Sequence, residues 1–514
     1  HLAHELQEGA AHVAQRRDGE VALGPIDDAV GQQAAGDGLE RVLATGHELV
    51  SRAAADILRI GGNAFDAAVA AGFAGAVAEQ ILARTAGAAG PAEEIFFDFF
   101  VDTPGRGLDR SPEPHFFPVT IRFGGSDQVF NVGMGSVAVP GTLKGLLHVH
   151  ERLGRIPLAD VLQPAISLAR GHLLNDFQAD FLKMLHPIMT LTRTGCELYE
   201  PGNRYLCAGD TLVNESMADF LAALPDDHGA SFYSGDLARQ IDREMKEGQG
   251  LLTFDDLASY KVIERRPLHT AYRGYTLLTG PPPSMGGTLI SLSLALLEQQ
   301  PQLREWGSAE HLFRTTGLMQ EVERLRNLGV STPEQIQSFL RTGDFADSAE
   351  RIRSFSRGTT HISIADHEGN VASMTCSNGE GSGYFVPGTG IMLNNMMGED
   401  DLHPEGFHSS PPGKRVASMM SPSVLLRDNE VELVLGTGGS KRIRTAITQV
   451  LTQVIDFGRD LRTAVNAPRM HWDGEVLQVE PGFPEEPMAE LVRSCLLYTS
   501  DAADEEDSVD LGGR

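Results

Sequence analysis

The chain has 514 residues, of which 41% are hydrophobic and 22% charged, the composition of a soluble globular protein with a sizeable core. Its 42 basic and 70 acidic residues give a formal net charge of -28, and so acidic a surface repels nucleic acid and anionic membranes. The sequence has no apolar run long enough to span a bilayer, so we predict neither a nucleic-acid partner nor a membrane span.

The two ends of the chain are weakly patterned. Residues 1–42 are a poorly patterned N-terminal segment, rich in Ala, Gly, Gln and charge. Residues 496–514 are acidic and nearly free of periodicity, so we expect a non-native or disordered tail. Because no charged-then-apolar leader is visible, the sequence leaves the compartment open.

Helical periodicity first becomes clear after residue 46. Apolar residues recur at helical spacing over 50–58, and the glycines that follow end this helix. The β-branched and aromatic run 95–101 predicts a buried strand. Further helices are predicted at 67–76, 143–153, 158–169, 217–224, from 255 after the Thr253 cap, at 288–297, in a helix-rich stretch to about 340, and at 443–457. Helices and strands occur in blocks and do not strictly alternate along the chain, which predicts a layered α+β architecture.

After residue 358 the pattern changes to short strands and glycine turns. Residues 359–365 and 371–377 alternate at strand period around a turn. In a hairpin centred near Glu368, the numbers of paired residues sum to about 736. Thr359 then lies opposite Ser377, and Thr375 and Ser377 share one face, which predicts a cluster of hydroxyls at the start of the first strand.

This hydroxyl cluster has a chemical use if the chain is cut before Thr359. A threonine hydroxyl is a weak nucleophile unless a base lies within reach. Cleavage between Gly358 and Thr359 frees an α-amine that titrates near neutral pH and can act as that base. Gly358 also leaves its own carbonyl unshielded against attack by the Thr359 hydroxyl. On spacing alone, the alternative is an ordinary strand start on a hairpin.

The four cysteines are Cys196, Cys207, Cys376 and Cys495, and none is spaced as in a C-x-x-C metal site. A disulfide between Cys196 and Cys207 would close the turn-rich loop between them and imply an oxidising compartment. Two reduced thiols are the alternative. We predict no metal site.

Ordered motifs along the chain resemble the γ-glutamyltranspeptidase family of N-terminal-nucleophile hydrolases over roughly residues 43–485. The motifs are GGNAFDAAVAAG, GSVAVPGT, FYSGDLARQI, LTFDDLASY, GPPPSMGG, TTHISIADHEGNVAS, GTGIMLNNMM, SMMSPS and LGTGGS. The resemblance implies an α+β fold of the four-layered αββα sandwich type, made by two subunits from one precursor. We expect a large-subunit region at 43–358 and a small-subunit region at 359–495. A periplasmic or secreted location is compatible with the resemblance.

The resemblance also implies individual roles. Thr359 matches the nucleophile, Thr375 and Ser377 match hydroxyls that assist processing and hold the nucleophile, and Gly438 and Gly439 match the pair whose N–H groups form the oxyanion hole. From spacing alone, the two glycines form a strand-to-helix turn. The implied reaction moves a γ-glutamyl group from an amide such as glutathione onto Thr359, and then to water or to an amino acid or peptide, without a cofactor.

The expected pocket for the acyl group departs from the family pattern. Phe100 stands where an arginine for the substrate α-carboxylate is expected, and losing such a bidentate partner is not a neutral change. Arg106, in the following loop, is a candidate replacement, and a solvent-facing turn arginine is the alternative. Of two expected adjacent serines Ser418 remains, and Met419 replaces the second.

Polar positions after the hairpin also differ. Gly379 stands where an asparagine is expected, and Asn378 precedes it. Glu399 or Asp400 occupies the acidic position expected to bind the α-ammonium, with a solvated acidic turn as the alternative. The clustered glycines expected before the strand at 95–101 are missing from residues 78–93.

Three functions remain open. The first is a γ-glutamyltransferase or hydrolase acting on glutathione-like compounds. The second keeps the chemistry but cleaves glutaryl or other side-chain amides, and Phe100 and Met419 favour it because they make the pocket more apolar. The third is an unprocessed, inactive homologue that serves as a binding or scaffold protein.

Overall fold

Two six-stranded antiparallel sheets lie at the centre of the molecule. The computed structural model describes residues 12–17, 20–23, 42–78, 88–90, 93–108, 113–123, 126–303, 305–328, 359–403 and 405–500. Helices and strands both contribute to the core, as the predicted α+β class requires.

The first sheet combines strands from distant parts of the chain. Its strands are β1 His12–Arg17, β2 Glu20–Leu23, β11 Leu268–Tyr272, β12 Tyr275–Thr279, β17 Ser423–Arg427 and β18 Glu430–Gly436. Their order is β11-β12-β17-β18-β1-β2. The poorly patterned segment 1–42 contributes β1 and β2, and β1 pairs with β18 through main-chain hydrogen bonds that need no side-chain pattern.

The second sheet contains the strands β3 Val42–Thr45, β4 Ala88–Gly90, β5 Glu93–Asp98, β10 Ile263–Arg265, β13 Thr359–Ala365 and β14 Val371–Ser377. Their order is β10-β5-β4-β14-β13-β3. The predicted strand at 95–101 ends at Asp98, although Phe99 to Val101 stay buried. Within residues 78–93, where the expected glycines are missing, the short strand β4 still joins β14 to β5.

The predicted hairpin is confirmed with its register. β13 and β14 pair antiparallel from Thr359 with Ser377 to Ala365 with Val371, and the numbers of all seven pairs sum to 736. Asp366 fixes the turn, because one carboxylate oxygen accepts from the main-chain N–H groups of Glu368 and Asn370. Its other oxygen accepts from the N–H of Ala64, which ties the hairpin to the start of a helix.

Helices cover the outer face of each sheet. On the second sheet, Ile362, Ile364 and Met374 pack into one core with helices from the first half of the chain. Those helices are Glu48–Arg59, Ala64–Ala78, Thr142–Leu153, Leu158–Arg170 and Glu215–Asp227. On the first sheet, Leu277, Leu425 and other strand residues pack against a second group. That group is Met285–Glu298, Ala309–Asn327, Arg442–Ile455 and Leu461–Asn466.

Smaller elements complete the described structure. The helices are Asp176–Met189, Arg193–Tyr199, Ala230–Tyr233, Asp236–Glu247, Phe254–Ser259 and Glu485–Ser500, with 3-10 turns at Met134–Ser136, Met396–Gly398 and Asp400–Leu402. The strands are β6 Phe117–Phe123, β7 Ser126–Val132, β8 His172–Leu173, β9 Thr211–Leu212, β15 Phe385–Val386, β16 Ile391–Met392, β19 Met470–Trp472 and β20 Leu477–Val479. Within the described ranges, no helix is long and apolar enough to cross a membrane.

The helices predicted from periodicity are present. Thr253 caps the helix Phe254–Ser259 with a capping box, as its position predicted. The helix-rich stretch expected to about 340 contains Ala309–Asn327, and its remainder lies outside the described residues. The open question about Cys196 and Cys207 is also answered. Both are free thiols, the first half-buried and the second exposed, so no disulfide closes their loop.

Candidate active site

Thr359 lies where the two sheets meet. It is the first residue of β13, half-buried, and opposite Ser377 on β14. Gly438 packs directly against it, since a Cβ added to Gly438 would lie 2.1 Å from the carbonyl oxygen and 3.3 Å from the Cβ of Thr359. Only glycine permits this approach. Gly358, on the other side of the predicted cleavage site, lies outside the described residues.

Gly438 and Gly439 form the turn between β18 and the helix Arg442–Ile455. Gly439 has a φ of +114°, which side chains disfavour, and its carbonyl accepts from the N–H of Arg442 at 3.0 Å. The turn therefore satisfies two requirements at once. It reverses the chain, and it brings a flexible main chain with helix-start N–H groups beside Thr359.

A buried polar network lies next to Thr359, between the two sheets. His361 is fully buried, and its Nδ1 lies 2.8 Å from the hydroxyl of Thr375. Its Nε2 lies 3.0 Å from the hydroxyl of Ser363, which also donates to the carbonyl of Val434 in the first sheet. The network orients Thr375, and it crosses from one sheet to the other.

The sequence reasoning did not single out His361. The available signal was the alternation of β13, which places His361 on the same face as Thr359. A third glycine makes room for it, because a Cβ on Gly436 would lie 2.2 Å from the imidazole ring. Ser377, the other predicted hydroxyl, is buried and accepts from the N–H of Gly379 at 3.2 Å.

Acidic and amide side chains gather at the end of β14. Gly379 has a φ of +61°, and a Cβ there would lie 2.0 Å from Oδ1 of Asn395 and 2.3 Å from Oε1 of Glu399. Glycine at this position thus leaves room for the side chains of Asn395 and Glu399 next to the end of β14. An asparagine at this position would collide with them, so the substitution at Gly379 and the position of Glu399 are coupled.

The two acidic candidates occupy different environments. Glu399 lies against Gly379, whereas Asp400 is exposed. Partial burial, with a contribution from neighbouring Asp401, raises the pKa of the Asp400 carboxyl against the opposing effect of Lys441. Of the two, Glu399 is the one that lies beside the end of the β13–β14 hairpin.

Asp401 connects the acidic loop to the glycine turn. Its carboxylate lies 3.0 Å from Nζ of Lys441 and accepts from the hydroxyl of Ser440 at 2.5 Å. Both partners directly follow Gly439 in the chain. The loop that carries Glu399 is thereby held beside the turn that contacts Thr359.

The remaining polar candidates, Asn378 and Ser418, have hydrogen-bond partners in other segments. Asn378 is half-buried, donates to the carbonyl of Met392 at 3.4 Å, and lines an apolar cavity. Ser418 accepts from the N–H of Met420 through its hydroxyl and from that of Met285 through its carbonyl. Met419 is buried in the core between the first sheet and its helices. The expectation that its side chain makes the pocket more apolar was therefore wrong.

Phe100 packs in an apolar cluster with Val101, Met396, Met397 and Val416. Its carbonyl accepts from Nη1 of Arg415 at 2.7 Å. This buried arginine also forms ion pairs with Asp98 and Asp102, at 2.9 and 2.8 Å. The guanidinium of Arg415 is therefore held by these contacts beside Phe100, the position where the resemblance led us to expect a substrate-binding arginine.

Arg106 lies in a turn, with 43% of its side chain exposed. Its guanidinium is 4.0 Å from a carboxylate oxygen of Asp256 and 3.5 Å from the carbonyl of Gly413. Arg106 is therefore a solvent-facing turn arginine, the alternative raised from the sequence, and it does not lie with the other candidates. Within the described ranges, no cluster of His, Cys, Asp and Glu can hold a metal ion.

Comparison with known proteins identifies relatives over most of the chain. The γ-glutamyltranspeptidase family model matches residues 113–332 and 346–502. An acylase ACY 1 proenzyme from Pseudomonas sp. (strain SE83) is 32% identical over 475 residues, covering 87% of this chain and 85% of the relative. A glutathione hydrolase proenzyme from Escherichia coli (strain K12) is 31% identical over 481 residues, covering 83% and 80%.

A solved structure supports the same fold. The cephalosporin acylase from Bacillus halodurans superposes with a TM-score of 0.74 at 24% identity, covering 91% of each chain. The ordered motifs, the family model and this fold agree. The chain therefore belongs to the γ-glutamyltranspeptidase family, whose members include both glutathione hydrolases and acylases.

Proposed function

We propose that this chain is a self-cleaving amide hydrolase and acyltransferase whose nucleophile is Thr359. The observation that carries the proposal is the meeting of Thr359 with Ser377 and Gly438 at the start of the nucleophile hairpin. A nucleophile, supporting hydroxyls and main-chain donors in one place are the requirements of acyl transfer through a covalent ester.

Processing comes first. The hydroxyl of Thr359 attacks the carbonyl of Gly358, and the acyl group moves from nitrogen to oxygen. Water hydrolyses the resulting ester and leaves a free α-amine on Thr359. Cleavage of this one bond leaves the large-subunit region 43–358 on one fragment and the small-subunit region 359–495 on the other, and the two fragments together form a four-layered αββα sandwich.

Catalysis reuses the same atoms. The freed amine takes the proton of the Thr359 hydroxyl, and the hydroxyl oxygen attacks the substrate amide carbonyl. The N–H groups of Gly438 and Gly439 stabilise the oxyanion, a contribution of about 2.7–4 kcal/mol for one such donor. Thr375 and Ser377 hold the nucleophile. The leaving amine takes the proton, and water or an amino acid or peptide acceptor then releases the acyl group.

The acyl group is γ-glutamyl in the function that the geometry supports best. Glu399 lies at the end of the nucleophile hairpin, where a carboxylate can bind the substrate ammonium. Ser418 and Asn378, on neighbouring loops, are further candidates for contacts with the substrate. Asp400 is more exposed and contributes negative charge at the entrance to the acyl pocket. Glutathione and related γ-glutamyl amides are the substrate class.

A second candidate is an acylase that cleaves glutaryl or other side-chain amides. Phe100 in place of the expected arginine favours it, as does the 32% identity to a Pseudomonas acylase proenzyme. A third candidate, of another class, is an unprocessed homologue that acts as a binding or scaffold protein.

Chromogenic anilides separate the three candidates. We expect the wild-type chain to release 4-nitroaniline faster from the γ-glutamyl anilide than from the glutaryl anilide. Thr359→Ala should release none and remain a single chain, while Thr360→Val, which keeps the shape of the adjacent buried threonine, should behave like wild type. Faster turnover of the glutaryl anilide would establish the second candidate, and an uncleaved, inactive wild-type chain the third.

A further inference from the structure

A narrow cleft lies among the helices that cover the outer face of the first sheet. Its walls come mainly from the helices Met285–Glu298, Ala309–Asn327 and Arg442–Ile455. It encloses about 650 Å³, counting the space at its mouth that is open to solvent. The residues that line it include neither Thr359 nor Gly438, so this cleft is separate from the proposed active site.

The cleft follows one face of the helix Arg442–Ile455. Its lining residues Arg444, Thr448, Thr452 and Asp456 are spaced four apart, which places them along one side of the helix axis. At 1.5 Å per residue, the line from Arg444 to Asp456 is roughly 18 Å long. Arg444 is 3% exposed, whereas the lining residue Pro301 is exposed. The cleft is therefore elongated, with Arg444 at its buried end.

The walls between the two ends are largely apolar. Hydrocarbon and ring surface comes from Leu297, Leu318, Met319, Val322 and Phe457. The threonine hydroxyls on the helix face bond within their own helix. Thr448 donates to the carbonyl of Arg444 at 2.8 Å, and Thr452 donates to that of Gln449 at 3.0 Å. An extended hydrocarbon chain suits walls of this shape and polarity.

Arg444 brings a positive charge to the buried end. Its Nη2 donates to Glu323 at 2.5 Å, and the same carboxylate accepts from Nη1 of Arg326 at 3.0 Å. Two guanidinium groups thus share one carboxylate. Within the described part of the chain, Nη1 of Arg444 has no hydrogen-bond partner although it is shielded from solvent. A buried donor without an acceptor is costly, and a carboxylate at this end of the cleft would supply the acceptor.

The open end of the cleft attracts anions as well. Nη2 of Arg273 donates to the carbonyl of Leu297 at 3.0 Å, and its Nε lies 3.6 Å from Asp456. Arg314 is the other cation there, while burial lowers the pKa of His311 to about 4 and keeps that imidazole neutral near pH 7. The lining thus carries three arginines and one aspartate, on a chain of net charge -28. A cleft of this sign concentrates anionic ligands.

We propose that this cleft binds an aliphatic monocarboxylate of medium chain length, with the carboxylate on Arg444 and the hydrocarbon chain along the helix face toward Asp456. The guanidinium gains a charge-assisted hydrogen bond to the carboxylate. Each methylene that is buried along the walls adds to the affinity. Because the cleft is separate from Thr359, the inference does not depend on the proposed function.

Calorimetric titration of the purified chain with octanoate tests this inference. We expect octanoate to bind at least about tenfold more tightly than octanamide, which lacks the charge, and than acetate, which lacks the chain. Arg444→Met should weaken octanoate binding by about tenfold or more and change octanamide binding little. Leu318→Trp, which narrows the cleft and keeps the pair between Arg444 and Glu323, should weaken both ligands.

Arg469→Met is the matched control. It removes another arginine that faces a carboxylate, Glu480 at 3.4 Å, but lies outside the cleft, so octanoate binding should stay unchanged.

Several outcomes would overturn the inference. Failure of the wild-type chain to bind octanoate would show that the cleft takes water only. Equal affinity for octanoate and octanamide would show that Arg444 does not recognise the carboxylate, and equal affinity for acetate would show that the apolar walls do not contribute. If Arg444→Met does not fold, Leu318→Trp decides the question, because unchanged octanoate binding in that variant would place the ligand elsewhere.

Discussion

Thr359 and Gly438 meet through their main chains, whereas Glu399 reaches Gly379 through a side chain carried by a separate loop. The first pair belongs to the proposed nucleophile centre, whose geometry follows from strand register and from glycines that admit close contact. The second pair belongs to the proposed acyl pocket, whose geometry depends on which side chain reaches in from which loop. The nucleophile centre therefore tolerates little change, while the pocket can exchange one residue for another.

The largest effect is expected in the nucleophile centre, for Gly438→Ala. The added Cβ would collide with the Thr359 main chain, so both processing and turnover should fall by at least about a hundredfold. Cleavage on a denaturing gel and anilide turnover measure the two effects. Gly317→Ala is the control, because Gly317 lies in a helix with no atom within 4 Å of the added Cβ. Normal processing of Gly438→Ala would contradict the assignment.

In the acyl pocket, Glu399→Gln should spare processing and alter selectivity. We expect kcat/KM to fall about ten- to a hundredfold for the γ-glutamyl and 4-aminobutanoyl anilides, because both carry an ammonium. The glutaryl anilide, which lacks one, should be affected little. Full-length chain accumulating in this variant would show that the two regions are not separable as described.

His361 links the nucleophile centre to the first sheet, and His361→Leu should weaken both. The substitution leaves the buried hydroxyls of Ser363 and Thr375 without their imidazole partner, at a cost of roughly 1–3 kcal/mol for each group. We expect a lower unfolding free energy and slower cleavage. Urea denaturation of Thr359→Ala with and without His361→Leu separates stability from processing. An unchanged urea midpoint would argue against a stabilising role for the hydrogen-bond network around His361.

The smallest effect concerns His471 on β19, whose Nδ1 lies 3.0 Å from the hydroxyl of Thr445 in the helix that follows the glycine turn. Burial and the nearby cations, Arg444 first, lower the pKa of His471 to about 3. Because the unfolded imidazole titrates near 6.5, the unfolded chain binds more protons between these values. Stability contributed by the neutral ring is present above about pH 6.5 and declines as the pH falls toward 3, by up to about 1.4 kcal/mol per unit. His471→Gln should reduce that slope in denaturation measured across the window.

The contrast between the two regions also explains what the sequence could predict. Strand alternation and a single turn determine the pairing of Thr359 with Ser377, so the register could be predicted from local pattern. Helix periodicity likewise located the covering helices. The position of Met419 could not be predicted, because it depends on packing between segments far apart in the chain. Strands β1 and β4 were missed because their sequences carry little pattern and they form through main-chain pairing.

Gly379 illustrates the same limit. In sequence it looks like the loss of an asparagine, whereas in the structure it provides the space that Glu399 and Asn395 occupy. A substitution in one loop and a side chain in another thus have to be considered together. Only the folded chain shows that they are neighbours.

The most direct test of the account is the intact mass of the purified wild-type chain after prolonged incubation. We expect two fragments, with the smaller one beginning at Thr359, and an unchanged full-length mass for Thr359→Ala. A wild-type chain that keeps its full-length mass, or that is cut at another bond, would contradict the central claim that Thr359 becomes a catalytic N-terminus.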